Sequence, residues 1–288
     1  MPRGVPKAGF RNTKNRRAGF VKPLPVARVE LRAETESEIE TKLSERFATL
    51  DTMTHATVHG HNKSMIVSGP AGVGKSYSIG QILGDAEGKV YSTVIKGYVR
   101  PTGLYKMLYE FRHKNSVVVF DDADSIFADE VALNLLKAAC DTTKKRVLHW
   151  LTETKMEDEE GERLPRSFEF EGSIVFITNY DFDEMIARGN KLAPHFEAMI
   201  SRSHYVDLAM KSTMDYVVRI KQVVRDHGML RDAGYSLHEE KELIDFIVDN
   251  KDRLRELSLR MVLKLASLMR INSSNWKTLA KTTAFKGA

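Results

Sequence analysis

Apolar residues recur with two different periods along this chain, and the change from one to the other divides it. Ile39, Leu43, Phe47, Leu50 and Met53 return at helical spacing behind a Thr35-x-x-Glu38 capping signal, predicting a helix to about Val58. Gly60-His61-Asn62 ends it. Short apolar runs then alternate with helical stretches, predicting strands over 64–68, 90–95, 117–120, 173–178 and 204–208. Val117-Val118-Val119-Phe120 has no polar position, as a strand buried on both faces of a parallel sheet requires. Helices are predicted from Tyr77 to Leu83, from Thr102 to His113 behind Pro101, and from Asp129 to Ala139. Two alternating segments, 147–154 and 167–171, flank the acidic run 157–162 and predict a β-hairpin. From Lys211 on only the helical period survives, over 213–226, 238–250, 258–271 and 275–282, with a second capping box at Ser236-x-x-Glu239. This order predicts an α/β domain with a parallel sheet over residues 35–208 and a small α-helical lid over 209–288.

The first residues fit neither period. Residues 1–29 hold eight Lys or Arg, no acid and four of the eight prolines, so a basic, disordered arm is expected over 1–34. Such an arm can follow a phosphate backbone, pack on a neighbouring subunit or merely solubilise the chain. A net charge of +5 permits a nucleic-acid partner without demanding one. No apolar run approaches 20 residues, and the basic N-terminus lacks the apolar core of a secretory signal, so neither a membrane span nor export is expected. The lone Cys140 excludes an internal disulfide and suits a cytoplasmic setting.

Chemistry concentrates where strands end. After Met65-Ile66-Val67 comes Gly69-Pro70-Ala71-Gly72-Val73-Gly74-Lys75-Ser76, which matches G-x-x-x-x-G-K-[ST] without a departure and runs into a helix at Tyr77. Its glycines let successive N–H groups face one anion, Lys75 can reach the β- and γ-phosphates, and the Ser76 hydroxyl can ligate Mg²⁺. The bland alternative is a flexible turn. The strand 117–120 runs into Asp121-Asp122, where Asp121 can hold Mg²⁺ through water and Asp122 can polarise an attacking water. The strand 173–178 ends at Asn179, whose amide can position that water.

In this order and spacing the chain resembles the AAA+ ATPases over residues 35–271. Gly69 to Ser76 is similar to their Walker A loop, Val117 to Asp122 to Walker B and Asn179 to sensor 1. Ile200-Ser201-Arg202-Ser203 resembles the Ser-Arg signature of clamp-loader subunits. The resemblance implies a P-loop αβα core, ATP and Mg²⁺ as ligands, and a homo-oligomeric ring, a hexamer. It implies that Arg202 is an arginine finger acting on the next subunit's nucleotide, and that Arg260 is sensor 2 on its own. Arg260 also sits where a helix begins, and a cation there opposes the macrodipole unless an anion is near. The family's usual Glu after the Walker B Asp is here Asp122, one methylene shorter.

The substrate signals disagree. Gly97-Tyr98-Val99 occupies the place of pore loop 1 in AAA+ rings and resembles the loops of polypeptide unfoldases. Tyr98 can equally stack on a base, with Lys96 and Arg100 suited to phosphate. The hairpin resembles the insertion of helicases and branch-migration motors, although its acidic tip would be repelled by phosphate. A nucleic-acid remodeller is the first reading and a polypeptide unfoldase the second. An ATP-gated loader or scaffold that barely hydrolyses is the third. Superfamily-three helicases share the Asp-Asp and the strand-end Asn but lack a lid arginine.

Overall fold

Parity along each strand decides which of two cores its side chains join. The computed structural model describes residues 34–152, 156–157 and 161–287. The basic arm, save Glu34, and Asp158, Glu159 and Glu160 of the acidic run lie outside the described residues.

The described elements run α1 (Glu36–Val58), β1 (Ser64–Ser68), α2 (Lys75–Asp85), β2 (Tyr91–Lys96), α3 (Pro101–Glu110), β3 (Ser116–Asp121) and α4 (Glu130–Ala139). They continue with β4 (Val147–His149), β5 (Ser167–Glu169), β6 (Ser173–Thr178), α5 (Phe182–Ala187), α6 (Ala193–Ile200) and β7 (His204–Asp207). Five helices close the chain: α7 (Thr213–Lys221), α8 (Met229–Asp232), α9 (Leu237–Asp249), α10 (Leu259–Ile271) and α11 (Trp276–Ala284). Five strands form one sheet in the order β2-β3-β6-β1-β7, every pair parallel. β1, β3 and β6 are buried at every position, which is why they read as unbroken apolar runs.

On one face Ile66, Val118, Phe120, Ile174 and Phe176 meet Leu104 and Leu108 of α3, Leu133 and Leu136 of α4, and Phe196 of α6. On the other, Met65, Val67, Val117, Val119, Val175 and Ile177 meet Phe47 and Leu50 of α1 and Ile79 and Leu83 of α2. Each such burial contributes about 1.5–3 kcal/mol before chain entropy is counted. A separate core holds the C-terminal helices, built on Leu243, Ile247, Val262, Leu265 and Trp276. Ile39 and Leu43 of α1 reach Val218 of α7, so α1 packs on both the sheet and the helical region. The fold is an α/β P-loop core followed by a C-terminal helical domain. Among the described residues no helix is long and apolar enough to cross a membrane.

Three stretches differ from the sequence expectation. Helices α5 and α6 fill 182–200, where no element is predicted; each is too short to display a period, although Asp181 caps α5 and Pro194 opens α6. The β4–β5 hairpin keeps only three residues per strand, with Trp150 N–H still donating to Arg166 O at 2.7 Å. The helix expected over 213–226 is α-helical only to Lys221 and widens into a π turn over Gln222–Asp226. Because the strands are parallel, the loops after β1, β3 and β6 leave the same edge of the sheet.

Candidate nucleotide-binding site

The loop between β1 and α2 takes its shape from glycines. Gly74, at φ +104°, is the N-cap of α2, and Gly72, at φ +73°, has no room for a side chain. A Cβ on Gly72 would lie 2.7 Å from Ser258 Cβ, at the start of α10. Lys75 opens α2 and is buried; its Nζ donates to Gly69 O, to Pro70 O at 3.0 Å and to Asn179 Oδ1 at 2.9 Å. Asn179, at the end of β6, donates through Nδ2 to Asp122 Oδ1 at 2.9 Å. Lys75, Asn179 and Asp122 therefore form one continuous chain of hydrogen bonds.

Asp122 earns its place through the backbone. It adopts φ +53°, a left-handed conformation that Asp tolerates better than most residues. Its N–H donates to Ile177 O at 3.0 Å, so the β3–β6 ladder gains a further bond just as the chain turns. Ser76 Oγ donates to Asp121 Oδ1 at 2.8 Å. Asp124, half-buried two residues on, accepts from Thr178 Oγ1 at 2.7 Å, and burial raises its carboxyl above the usual range.

Two observations test whether a polyphosphate fits. Among the described residues the backbone N–H groups of Ala71, Gly72 and Gly74 find no protein acceptor. The oxygens around the Lys75 amine are all neutral, and burial pulls it down to about 8 despite the opposing pull of Asp122 and Asp121. Free donors around a buried cation suit a polyanion. The Ser76–Asp121 oxygen pair suits Mg²⁺, which takes few protein ligands and completes its shell from phosphate and water. Among the described residues no group of three or more His, Cys, Asp or Glu offers an all-protein metal cage.

Other expected residues fall around this cluster or away from it. Tyr77 is largely exposed beside the loop. Arg260 is exposed, without a hydrogen bond or ion pair among the described residues, and its Cγ lies 3.6 Å from where a Gly72 Cβ would be. It stands in the first turn of α10, and that turn holds no acid. Arg202 is not brought to Lys75. Met65 is in register with His204, so Arg202 flanks the amino end of β1 while the loop leaves its carboxyl end. There Arg202 Nη1 donates to Ala198 O of α6 at 2.8 Å, and its Nε is buried without a partner. Tyr98 and Val99 are separated: Tyr98 is 75% exposed, whereas Val99 leans on the sheet core and donates its N–H to Ser125 Oγ. Lys96, read from the sequence as suited to phosphate, holds Asp121 Oδ2 at 3.0 Å, because the β2–β3 register sets the two side by side.

Sequence reasoning missed Arg219. It lies on α7, only 6% exposed, and its guanidinium stacks on Phe47 with 3.3 Å from Cζ to the ring centroid. Its Nε donates to Val73 O at 3.2 Å. Its one sequence signal is a cation inside Val217-Val218-Arg219-Ile220, which alone does not distinguish a buried arginine from a snorkelling one.

Residues 65–195 match the model of the ATPase family associated with various cellular activities (AAA). The chain is 38% identical over 255 residues to an uncharacterized 36.7 kDa protein of Enterobacteria phage T4, encoded in the nrdC–mobD intergenic region. That alignment covers 88% of this chain and 78% of the phage protein. Among solved structures, the Thermotoga maritima RuvB Holliday junction branch migration motor is 12% identical, with a TM-score of 0.43 and coverage of 86% of this chain and 69% of that one. Domain III of the Thermotoga maritima replication initiation protein DnaA is 9% identical, with a TM-score of 0.46 and coverage of 85% and 92%. The two structural likenesses are too distant to bear on activity. The glycine loop, the acid-ended strand and the family match agree: the chain belongs to the AAA+ P-loop ATPases.

Proposed function

We propose that this protein is a Mg²⁺-dependent ATPase that assembles as a homo-oligomeric ring, a hexamer, and remodels a macromolecule, with nucleic acid as the first candidate. The observation that carries the hydrolytic reading is the Lys75–Asn179–Asp122 hydrogen-bond chain at the mouth of the glycine loop. Residues 35–208 form the nucleotide-binding domain and 209–288 the lid. On ATP binding, Lys75 exchanges its neutral oxygens for phosphate, and the loop N–H groups supply the remaining donors. Asp121 and Ser76 would hold Mg²⁺, which neutralises charge on the phosphates. Asn179 orients a water toward the γ-phosphate, and Asp122 polarises it. Arg260 reaches the nucleotide from the lid of its own chain. Arg202 leaves Ala198 O to meet the nucleotide of the next subunit.

Nucleic acid is favoured by eight basic residues and no acid within the first 29, and by a net charge of +5. The exposure of Tyr98 favours a polypeptide as the second reading. ATPase rates with single-stranded DNA, duplex DNA and an unfolded protein decide between them. Stimulation by either DNA supports the first reading, and stimulation by the unfolded protein alone replaces it with the second. A basal rate no faster than spontaneous hydrolysis in all three favours the ATP-gated scaffold.

A further inference from the structure

The outer side of the glycine loop is held by the helical domain through two consecutive peptides. Leu259 N–H, at the start of α10, donates to Gly72 O at 2.8 Å, and Arg219 Nε–H, on α7, donates to Val73 O at 3.2 Å. Each carbonyl shares its peptide plane with the next residue's N–H: Gly72 O with Val73 N–H, and Val73 O with Gly74 N–H. Of the two, Gly74 N–H is among the loop donors that lack a protein acceptor among the described residues. A donor on the carbonyl of a peptide polarises the whole unit and strengthens its N–H as a donor. A charged donor does so more than a neutral one.

Arg219 is unusual in its company. It is buried, and among the described residues it makes one hydrogen bond out of five available donors and has no carboxylate within ion-pair distance. Asp51 is the acid whose field it feels, and burial pulls its guanidinium down to about 10, still charged at neutral pH. Phe47 fixes its plane, and a Cβ added to Gly74 would meet Arg219 Nη2 at 3.4 Å. A buried cation without a counter-ion costs folding energy, and an anion just across the loop would offset that cost.

We propose that Arg219 is a positioning residue for nucleotide binding: from behind the loop it polarises the Val73–Gly74 peptide, strengthening Gly74 N–H as a phosphate donor while the helical domain is docked. This rests on the reading of the loop as the ATP site. It makes the position of the helical domain a determinant of phosphate affinity, by a route that does not pass through Arg260.

The test titrates ATP and ADP against the full chain as wild type, Arg219→Gln, Arg219→Lys and Lys75→Ala, with thermal melting as the folding control. Arg219→Gln keeps a donor and loses the charge. It should raise the Kd of both nucleotides and the KM for ATP about tenfold, which corresponds to about 1.4 kcal/mol. kcat should stay within about twofold, as for a loss of uniform binding, and Arg219→Lys should recover part of the loss. In nucleotide-free protein the Gly74 amide proton should move upfield in both Arg219 variants. A folded Arg219→Gln with wild-type Kd overturns the proposal. If that variant does not fold, Arg219→Lys carries the test, and an unmoved Gly74 amide with wild-type Kd overturns it. Wild-type binding by Lys75→Ala would instead sink the site itself, which separates the two failures.

Discussion

At the carboxyl end of β1, Lys75, Asn179 and Asp122 satisfy one another through an unbroken chain of hydrogen bonds. At its amino end, about 16 Å away for a five-residue strand, Arg202 leans on a carbonyl of α6 and leaves its Nε buried without an acceptor. The first end is built within one chain. The second holds a cation whose partners, among the described residues, are the carbonyl of Ala198 in α6 and the hydroxyl of the neighbouring Ser201, both neutral. Removing a residue from the first end should therefore damage each chain separately. Removing Arg202 should matter only once chains meet.

The largest expected effect falls on the amino end. Arg202→Ala should lower turnover about a thousandfold, as loss of an arginine finger does, with nucleotide affinity unchanged. Steady-state ATPase assays beside a binding titration check it, and a matching loss of affinity would merge the two ends into one site. Asp122→Asn should cut turnover about a hundredfold and leave ATP binding intact, as single-turnover and binding measurements will report. Lys75→Ala should weaken ATP about a hundredfold, or about 2.7 kcal/mol, in equilibrium titration. An unaltered Kd would remove the carboxyl-end half of the comparison.

The smallest effect concerns Cys140, buried near the amino end, whose thiol burial pushes up to about 12. A raised folded value means that its contribution to stability is complete below the unfolded thiol's ordinary range, near 8.5. That contribution is lost as pH rises toward 12. The folded protein should resist a thiol reagent at pH 8 and react after denaturation; fast labelling of the folded chain would show the amino end to be open.

The features legible in sequence were those that needed no partner. β1 and β6 are wholly apolar in their interior and are followed at once by Gly69 and Asn179, so their bounds follow from composition alone. The glycine loop, Asp121, Asp122 and Asn179 stand at strand ends, where pattern and chemistry coincide. Lys96 was harder, because its pairing with Asp121 depends on the β2–β3 register between segments 25 residues apart. Arg219 was hidden for a similar reason: Phe47 and Val73 come from two distant segments, and only the folded chain places them around it. α5 and α6 are too short to show a period; the Asp181 cap defines the start of one and Pro194 the start of the other.

One measurement tests the division of labour between the two ends of β1 most directly. Lys75→Ala chains should bind little ATP but still present Arg202, and Arg202→Ala chains should bind ATP but lack the finger. Neither alone should hydrolyse appreciably. Mixed in equal amounts, they should regain ATPase activity, because some interfaces then combine an intact loop with an intact Arg202. A mixture no more active than its components would contradict the account, placing both functions within a single chain.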